Sequence, residues 1–143
     1  MFSGEHNVTM DDKGRVFVPA RFRDDLGPNL MMWRGMDGQI MMYPKPTWQK
    51  MADALSQQAT SQHVREVRWM VFSATEEEPD RQGRIVIPQS LRKHAELGSD
   101  IVVVGLDDHV EVWSEARWEA LTARFLTSAG DIADVLAELG VKL

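Results

Sequence analysis

A nine-residue stretch occurs twice. Asp11-Asp12-Lys13-Gly14-Arg15-Val16-Phe17-Val18-Pro19 returns as Asp80-Arg81-Gln82-Gly83-Arg84-Ile85-Val86-Ile87-Pro88, with four positions identical and three more apolar in both copies. Each copy reads as a polar turn framed by Asp-x-x-x-Arg, then three apolar residues, then proline. In such a turn aspartate bonds its own backbone and glycine accepts a positive φ. Proline closes the strand and opens a helix, where its missing N–H has no role. A motif recurring at a fixed offset makes the chain a duplicated unit, and that constrains the fold more than any other feature.

The offset holds along the chain. It is 69 residues from Asp11 to Asp80, and 70 from Gly35 to Gly105 and from Trp48 to Trp118. One inserted residue between the first helix and the next strand accounts for the change. The spacing predicts a short strand around Val8 and Met10, then a second from Arg15. In that second strand Val16 and Val18 face one way, and Arg15 and Phe17 the other. Apolar residues on both faces predict a strand sandwiched in a barrel or between layers.

Ala20 to Leu26 reads as a helix stopped by Gly27, Leu30 to Trp33 as a strand, and Gly35 to Gly38 as a turn. Gln39 to Tyr43 is the returning strand. A helix from about Thr47 carries Trp48, Met51 and Leu55 on one face. Ser56 to Ser73 reads as a helical connector that turns to strand near Val71-Phe72. The second copy repeats the plan: a helix after Pro88 ended by Gly98, strand 101–104, a turn over Gly105 to Asp108, and strand 109–113. Ser114 then caps a helix with Trp118, Leu121 and Phe125 on its apolar face. An amphipathic helix from Asp131 to Leu139 ends the chain. The expected division is a first repeat at 5–47, a helical connector at 47–75, a second repeat at 76–119 and a helical segment at 120–143. The fold class expected is mostly β with flanking helices, α+β.

Composition excludes several chemistries. There is no cysteine, hence no disulfide framework, thiolate zinc site or cysteine nucleophile. No apolar run reaches the roughly 18 residues of a membrane span, and no signal pattern opens the chain, so the expectation is a cytoplasmic protein without a membrane partner. Phosphate-cradling, zinc-protease and nucleophile-elbow motifs are missing. His6, His63, His94 and His109 have no ligand spacing and read as surface or packing residues. Glu76-Glu77-Glu78 reads as a solvated charge run ahead of a strand in preference to a metal or base site. Trp48 and Trp118 read as core in preference to base-stacking platforms, and the nine methionines as adaptable packing or a subunit interface. No enzyme activity and no cofactor is expected.

The net charge of −6 argues against a nucleic-acid partner, but its distribution does not. Residues 81–93 hold Arg81, Arg84, Arg92 and Lys93 with no acid. An acidic chain can still present a local basic edge. Arg15 and Arg84 each follow a glycine at a strand mouth, where a long side chain projects from a hairpin tip. The residues leave two readings open: a surface salt bridge closing each turn, or a contact to phosphate or guanine.

The Met-Phe-x-Gly-Glu start and the two nonapeptide runs resemble the MraZ family of bacterial transcriptional regulators, over essentially the full length. The resemblance implies two AbrB-type units that form a pseudo-dimeric swapped-hairpin, or double-split, β-barrel within one chain. It implies homo-oligomeric rings of about eight or more subunits. It further implies binding to short direct repeats in double-stranded promoter DNA, and repression of the division and cell-wall gene cluster including the protein's own gene. The place implied is the cytoplasm and its nucleoid. Carried over to this chain, the DNA contacts are Lys13, Arg15, Arg81 and Arg84, supported by Asp11, Gly14, Asp80 and Gly83. The turns differ, with Asp12 standing where Arg81 does and Lys13 where Gln82 does, so unequal contributions are expected. Two rivals are an antitoxin built on the same barrel and a scaffold or enzyme that does not bind DNA.

Overall fold

A computed structural model describes residues 1–58 and 61–142. Its elements run β1 (Phe2–Thr9), β2 (Arg15–Phe17), α1 (Ala20–Leu26), β3 (Leu30–Arg34), β4 (Ile40–Pro44), α2 (Lys45–Ser56) and α3 (Gln62–Phe72). They continue as β5 (Thr75–Glu77), β6 (Arg84–Val86), α4 (Gln89–His94), β7 (Asp100–Asp107), β8 (His109–Ser114), α5 (Glu115–Thr127) and α6 (Ala129–Glu138). The same order of elements therefore occurs twice. The expected α+β class forms, but it is not mostly β: among the described residues the helices hold more of the chain than the strands.

Every strand pair is antiparallel. Six strands make one sheet in the order β1-β7-β8-β4-β3-β5, and β2 pairs with β6 in a second. Among the described residues no ladder joins the two sheets, so hydrogen bonding does not close them into a barrel. Only β3·β4 and β7·β8 are hairpins within one repeat. The other pairs, β1·β7, β2·β6, β3·β5 and β4·β8, cross between repeats. Beyond its one hairpin, each half takes its sheet partners from the other.

Side-chain alternation sorts the strands into layers. Met32, Met42, Val103 and Val112 face a core shared with Val16, Val18, Ile85 and Ile87 from the small sheet and with Phe22, Leu26 and Leu91 from α1 and α4. On the opposite face Met31, Trp33 and Tyr43 meet Trp48 and Met51 of α2, while Val102, Val104 and Trp113 meet Trp118 and Leu121 of α5. The two tryptophans expected in the core are there, half-buried. The small β2·β6 sheet thus lies over one face of the large sheet, and α2, α3 and α5 belong to the other.

The repeats also meet through a stack. Tyr43 lies between Trp33 and His109, with ring centroids 4.6 and 4.8 Å away. Burial pulls the His109 imidazole down, but hydrogen bonds and charge from Glu111 and Asp108 outweigh it and hold the ring above its ordinary value.

Some sequence expectations need correction. Phe17 is 52% exposed, so β2 is not sandwiched: one face is core and the other open. The second hairpin does not turn at Gly105. Gly105 sits inside β7, opposite Gly4 of β1 and Val110 of β8. A Cβ there would come within 2.5 Å of the Ser3 backbone nitrogen, so the glycine serves close strand approach and the turn moves to Asp107, at φ 61°. β1 is accordingly longer than Val8 and Met10 indicated. Val71 and Phe72 remain helical, and the glutamate run is itself strand, since Glu76 and Glu77 belong to β5 and pair with β3. Helix α4 stops before Gly98, with Glu96 taking the left-handed φ of 50° that ends it.

Candidate functional site

The two motif turns are built alike, atom for atom. Asp11 Oδ1 accepts the backbone N–H of Lys13 at 2.9 Å and of Arg15 at 2.8 Å. Asp80 Oδ1 accepts those of Gln82 and Arg84, both at 2.9 Å. The second carboxylate oxygen takes the guanidinium Nε–H, at 2.6 Å from Arg15 and 2.9 Å from Arg84. Backbone bonds Gly14 N–H to Asp11 carbonyl and Gly83 N–H to Asp80 carbonyl, at 3.1 and 2.9 Å, close each turn. Gly14 and Gly83 stand at φ 78° and 79°, a left-handed conformation that costs an L-residue roughly 1–2 kcal/mol. Glycine is there for the turn.

Surface pairs of this kind contribute little to stability, about 0–1 kcal/mol. What they do is aim the side chain. With Nε–H bound to aspartate, each guanidinium is fixed in plane and its two terminal Nη groups stay available for a planar acceptor pair.

The register of β2·β6 brings the turns together. Arg15 lies opposite Val86, Val16 opposite Ile85, and Phe17 opposite Arg84. Val16 and Ile85 point into the core, so Arg15, Val86, Phe17 and Arg84 share the outward face of one two-stranded ribbon. The Arg84 guanidinium lies 6.0 Å from the centre of the Phe17 ring. Lys13 and Arg81 are exposed at the ribbon's two turns and enter no ion pair among the described residues. All four predicted basic residues thus stand on or beside the same ribbon, with Asp11, Asp80, Gly14 and Gly83 shaping the turns that carry them.

Two further arginines escaped the sequence reading as a pair. A Cβ on Gly83 would come within 2.5 Å of the Arg23 guanidinium carbon, and one on Gly14 within 2.9 Å of that of Arg92. Each turn is therefore backed by an arginine from the first helix of the other repeat. Arg23 Nη2 donates to the Val18 carbonyl at 3.0 Å, while the Nε of both arginines is buried without a partner. Each turn is tied across the repeats as well, since Gly14 carbonyl accepts from Ile87 N–H at 2.8 Å and Gly83 carbonyl from Val18 N–H at 3.0 Å. The signal was available: Arg23 and Arg92 stand at the 69-residue offset of the motif. Among the described residues no cluster of three or more potential metal ligands forms. No helix there is long and apolar enough to cross a membrane.

The turn carboxylates are held below the ordinary aspartate value of 3.8. The hydrogen bond from the arginine backbone N–H does most of this, partial desolvation opposes it, and the arginine side chain adds to it. A lowered folded value means the contribution to stability is complete above 3.8 and disappears as pH falls through the folded value. Acid denaturation followed by circular dichroism is thus expected to be steeper below about pH 4 for the natural chain than for an Asp11→Asn, Asp80→Asn variant. Equal slopes would mean the clamps carry no linked proton.

The expected hairpin tips do not form, since β1 and β5 belong to the large sheet and β2 and β6 to the small one. Two aspartate-clamped arginine turns between the sheets, on a single shared ribbon, define a duplicated module that presents paired cations outward. Comparison with known proteins adds the family. A family model described as "MraZ protein, putative antitoxin-like" matches residues 1–67 and 70–135. The chain is 43% identical to Transcriptional regulator MraZ of Roseiflexus castenholzii over 141 residues, covering 97% of this chain and 99% of that protein. It is 39% identical to the protein of the same name from Pediococcus pentosaceus over 143 residues, covering 99% and 100%. The counterpart in Halothermothrix orenii is 41% identical over 143 residues, again covering 99% and 100%. The chain belongs to the MraZ family.

Proposed function

We propose that this protein is a DNA-binding transcriptional regulator that reads promoter DNA with the outer face of the β2·β6 ribbon. The reading rests on one observation, the register by which Arg15 and Arg84 share one open face. A major groove about 12 Å wide admits a two-stranded ribbon. Each aspartate-held guanidinium offers its Nη groups to O6 and N7 of guanine, while Lys13 and Arg81 hold flanking phosphates. Phe17 and Val86, apolar and exposed between the arginines, are suited to thymine methyl groups. Arg23 and Arg92 add positive charge behind the turns. The names of the relatives support the regulatory role.

The finer reading follows from the family resemblance. The chain acts as two repeat units, 5–47 and 76–119, whose exchanged strands are those of a swapped-hairpin barrel closed by side-chain packing. It represses the division and cell-wall gene cluster, its own promoter included, from the nucleoid. A ring of about eight or more subunits meets short direct repeats in the DNA, so modest contacts per chain add through effective concentration.

Salt dependence tests this reading. Affinity for promoter DNA is expected to fall linearly with log salt, with a slope near −0.9 for each phosphate contacted, and to exceed that for scrambled DNA by about a thousandfold or more. No salt-dependent retention would favour a scaffold that does not bind DNA. The family description also favours an antitoxin reading, which co-purification of a small toxin would support.

A further inference from the structure

The guanidinium groups of Arg23 on α1 and Arg92 on α4 lie against the turns in a definite way. A Cβ built on Gly83 would meet Arg23 Cζ at 2.5 Å and its Nε and Nη2 both at 2.7 Å. The central carbon is nearest and two nitrogens follow at equal distance, so the plate lies face-on against the glycine. At Gly14 the same Cβ would meet Arg92 Cζ and Nε, both at 2.9 Å. Each glycine thus has two reasons to lack a side chain: its positive φ, and the plate that fills the space.

Charge does not hold these plates. Among the described residues Arg23 and Arg92 enter no ion pair, and the Nε of each is buried without an acceptor. A buried donor left unmet costs stability, so packing alone would favour an apolar side chain here. Arg23 closes a circuit instead. Its Nη2 donates to the Val18 carbonyl at 3.0 Å, and Val18 N–H donates at 3.0 Å to the carbonyl of Gly83, the residue under the plate. In the matching place Ile87 N–H donates at 2.8 Å to the carbonyl of Gly14, under the Arg92 plate.

We propose that Arg23 and Arg92 are positioning residues for base reading, each acting on the turn of the opposite repeat. Gly83 directly precedes Arg84, and Gly14 directly precedes Arg15. Holding the glycine fixes the backbone from which the reading side chain leaves, and the aspartate then fixes its guanidinium. Arg23 therefore sets the aim of Arg84, and Arg92 that of Arg15. A side chain already held in place loses less freedom when it binds. Because each plate comes from the other half, neither repeat carries a complete reading turn. This role rests on the proposed reading of guanine by Arg15 and Arg84, and it names the residue on which each depends.

Lysine at either position keeps a positive charge and a long stem but removes the plate. Affinities are measured by fluorescence anisotropy on the promoter duplex and on the same duplex with 7-deazaguanine, which lacks the N7 acceptor. Arg23→Lys is expected to reduce the preference for the natural duplex by about three- to tenfold, the share of one reading arginine. Added to Arg15→Ala it should cost the same factor, and added to Arg84→Ala nothing more. Arg92→Lys should show the reverse pattern. Circular dichroism checks folding, and Arg23→Gln carries the same cycle if lysine unfolds the chain. An equal loss in every background would overturn the role, since packing or a direct phosphate contact would act on both turns alike. Full preference retained with lysine would overturn it too, because charge alone would then suffice.

Hydrogen exchange without DNA separates failure of this role from failure of the guanine reading. Arg23→Lys should quicken exchange over residues 80–86, where the Gln82 and Arg84 amides bond Asp80, and leave residues 11–17 unchanged. A natural chain that shows no preference between the duplexes would refute guanine reading. Quickened exchange confined to residues 80–86 would then still support the hold of Arg23 on its turn, and unchanged exchange there would overturn it.

Discussion

Replacing Arg15 and Arg84 together by alanine is expected to weaken binding to specific promoter DNA by about 2–6 kcal/mol, at roughly 1–3 kcal/mol for each bidentate contact to guanine. The loss should appear mainly in discrimination between specific and scrambled sequences. The fold should persist. Both side chains stand on the outer face of the ribbon, their ion pairs are partly exposed, and pairs of that kind contribute about 0–1 kcal/mol. The two single variants need not be equal, because Lys13 flanks the first turn and Arg81 the second. Lys13→Ala and Arg81→Ala, acting on phosphate, should instead lower affinity for all sequences alike and flatten the salt slope by about one unit each.

The largest effect on stability is expected at Phe22. Its ring is 1% exposed, and it meets the Phe2 ring edge-on at 5.8 Å and the His6 ring at 5.0 Å. Phe22 therefore joins α1 to β1, and β1 is the strand that crosses from the first repeat to pair with β7. Phe22→Ala removes the burial and leaves a cavity under that strand, for about 3–5 kcal/mol. That is a large share of the 5–15 kcal/mol of an ordinary domain, and the melting temperature should fall by about 10 °C or more. DNA affinity of the folded fraction should change little, because Phe22 faces the core and not the ribbon. A melting temperature unchanged within error would mean that β1 does not depend on this contact.

These two expectations differ in how far the sequence already carried them. The turns were legible because their chemistry is local. Asp11 and Asp80 bond residues only two and four positions on, and a glycine must sit where φ is positive, so residue order alone specifies the geometry. The repeat was legible for a related reason: Trp48 and Trp118, or Phe22 and Leu91, do the same job at matched places.

Pairing between the repeats was not legible. The β2·β6 register is chosen by burial of Val16 against Ile85, a contact between residues 69 positions apart, and nothing local records it. That is why Phe17 reads from its own strand as sandwiched yet proves exposed. Gly105 misled in the same way. It has the look of a turn residue, and what it serves is the approach of β1, a strand about a hundred residues earlier. Arg23 and Arg92 lie behind turns of the opposite repeat, so only the offset linked them.

Whether the clamped arginines read guanine from the ribbon face is decided by one double-mutant cycle of protein and DNA. Affinities of the natural chain and of the Arg15→Ala, Arg84→Ala variant are measured on the promoter repeat and on the same duplex with 7-deazaguanine, which lacks the N7 acceptor. The natural chain should lose about 1–3 kcal/mol on the modified DNA, while the variant should bind both duplexes equally. An equal loss in both proteins, or none in either, would show that the clamped arginines do not read guanine.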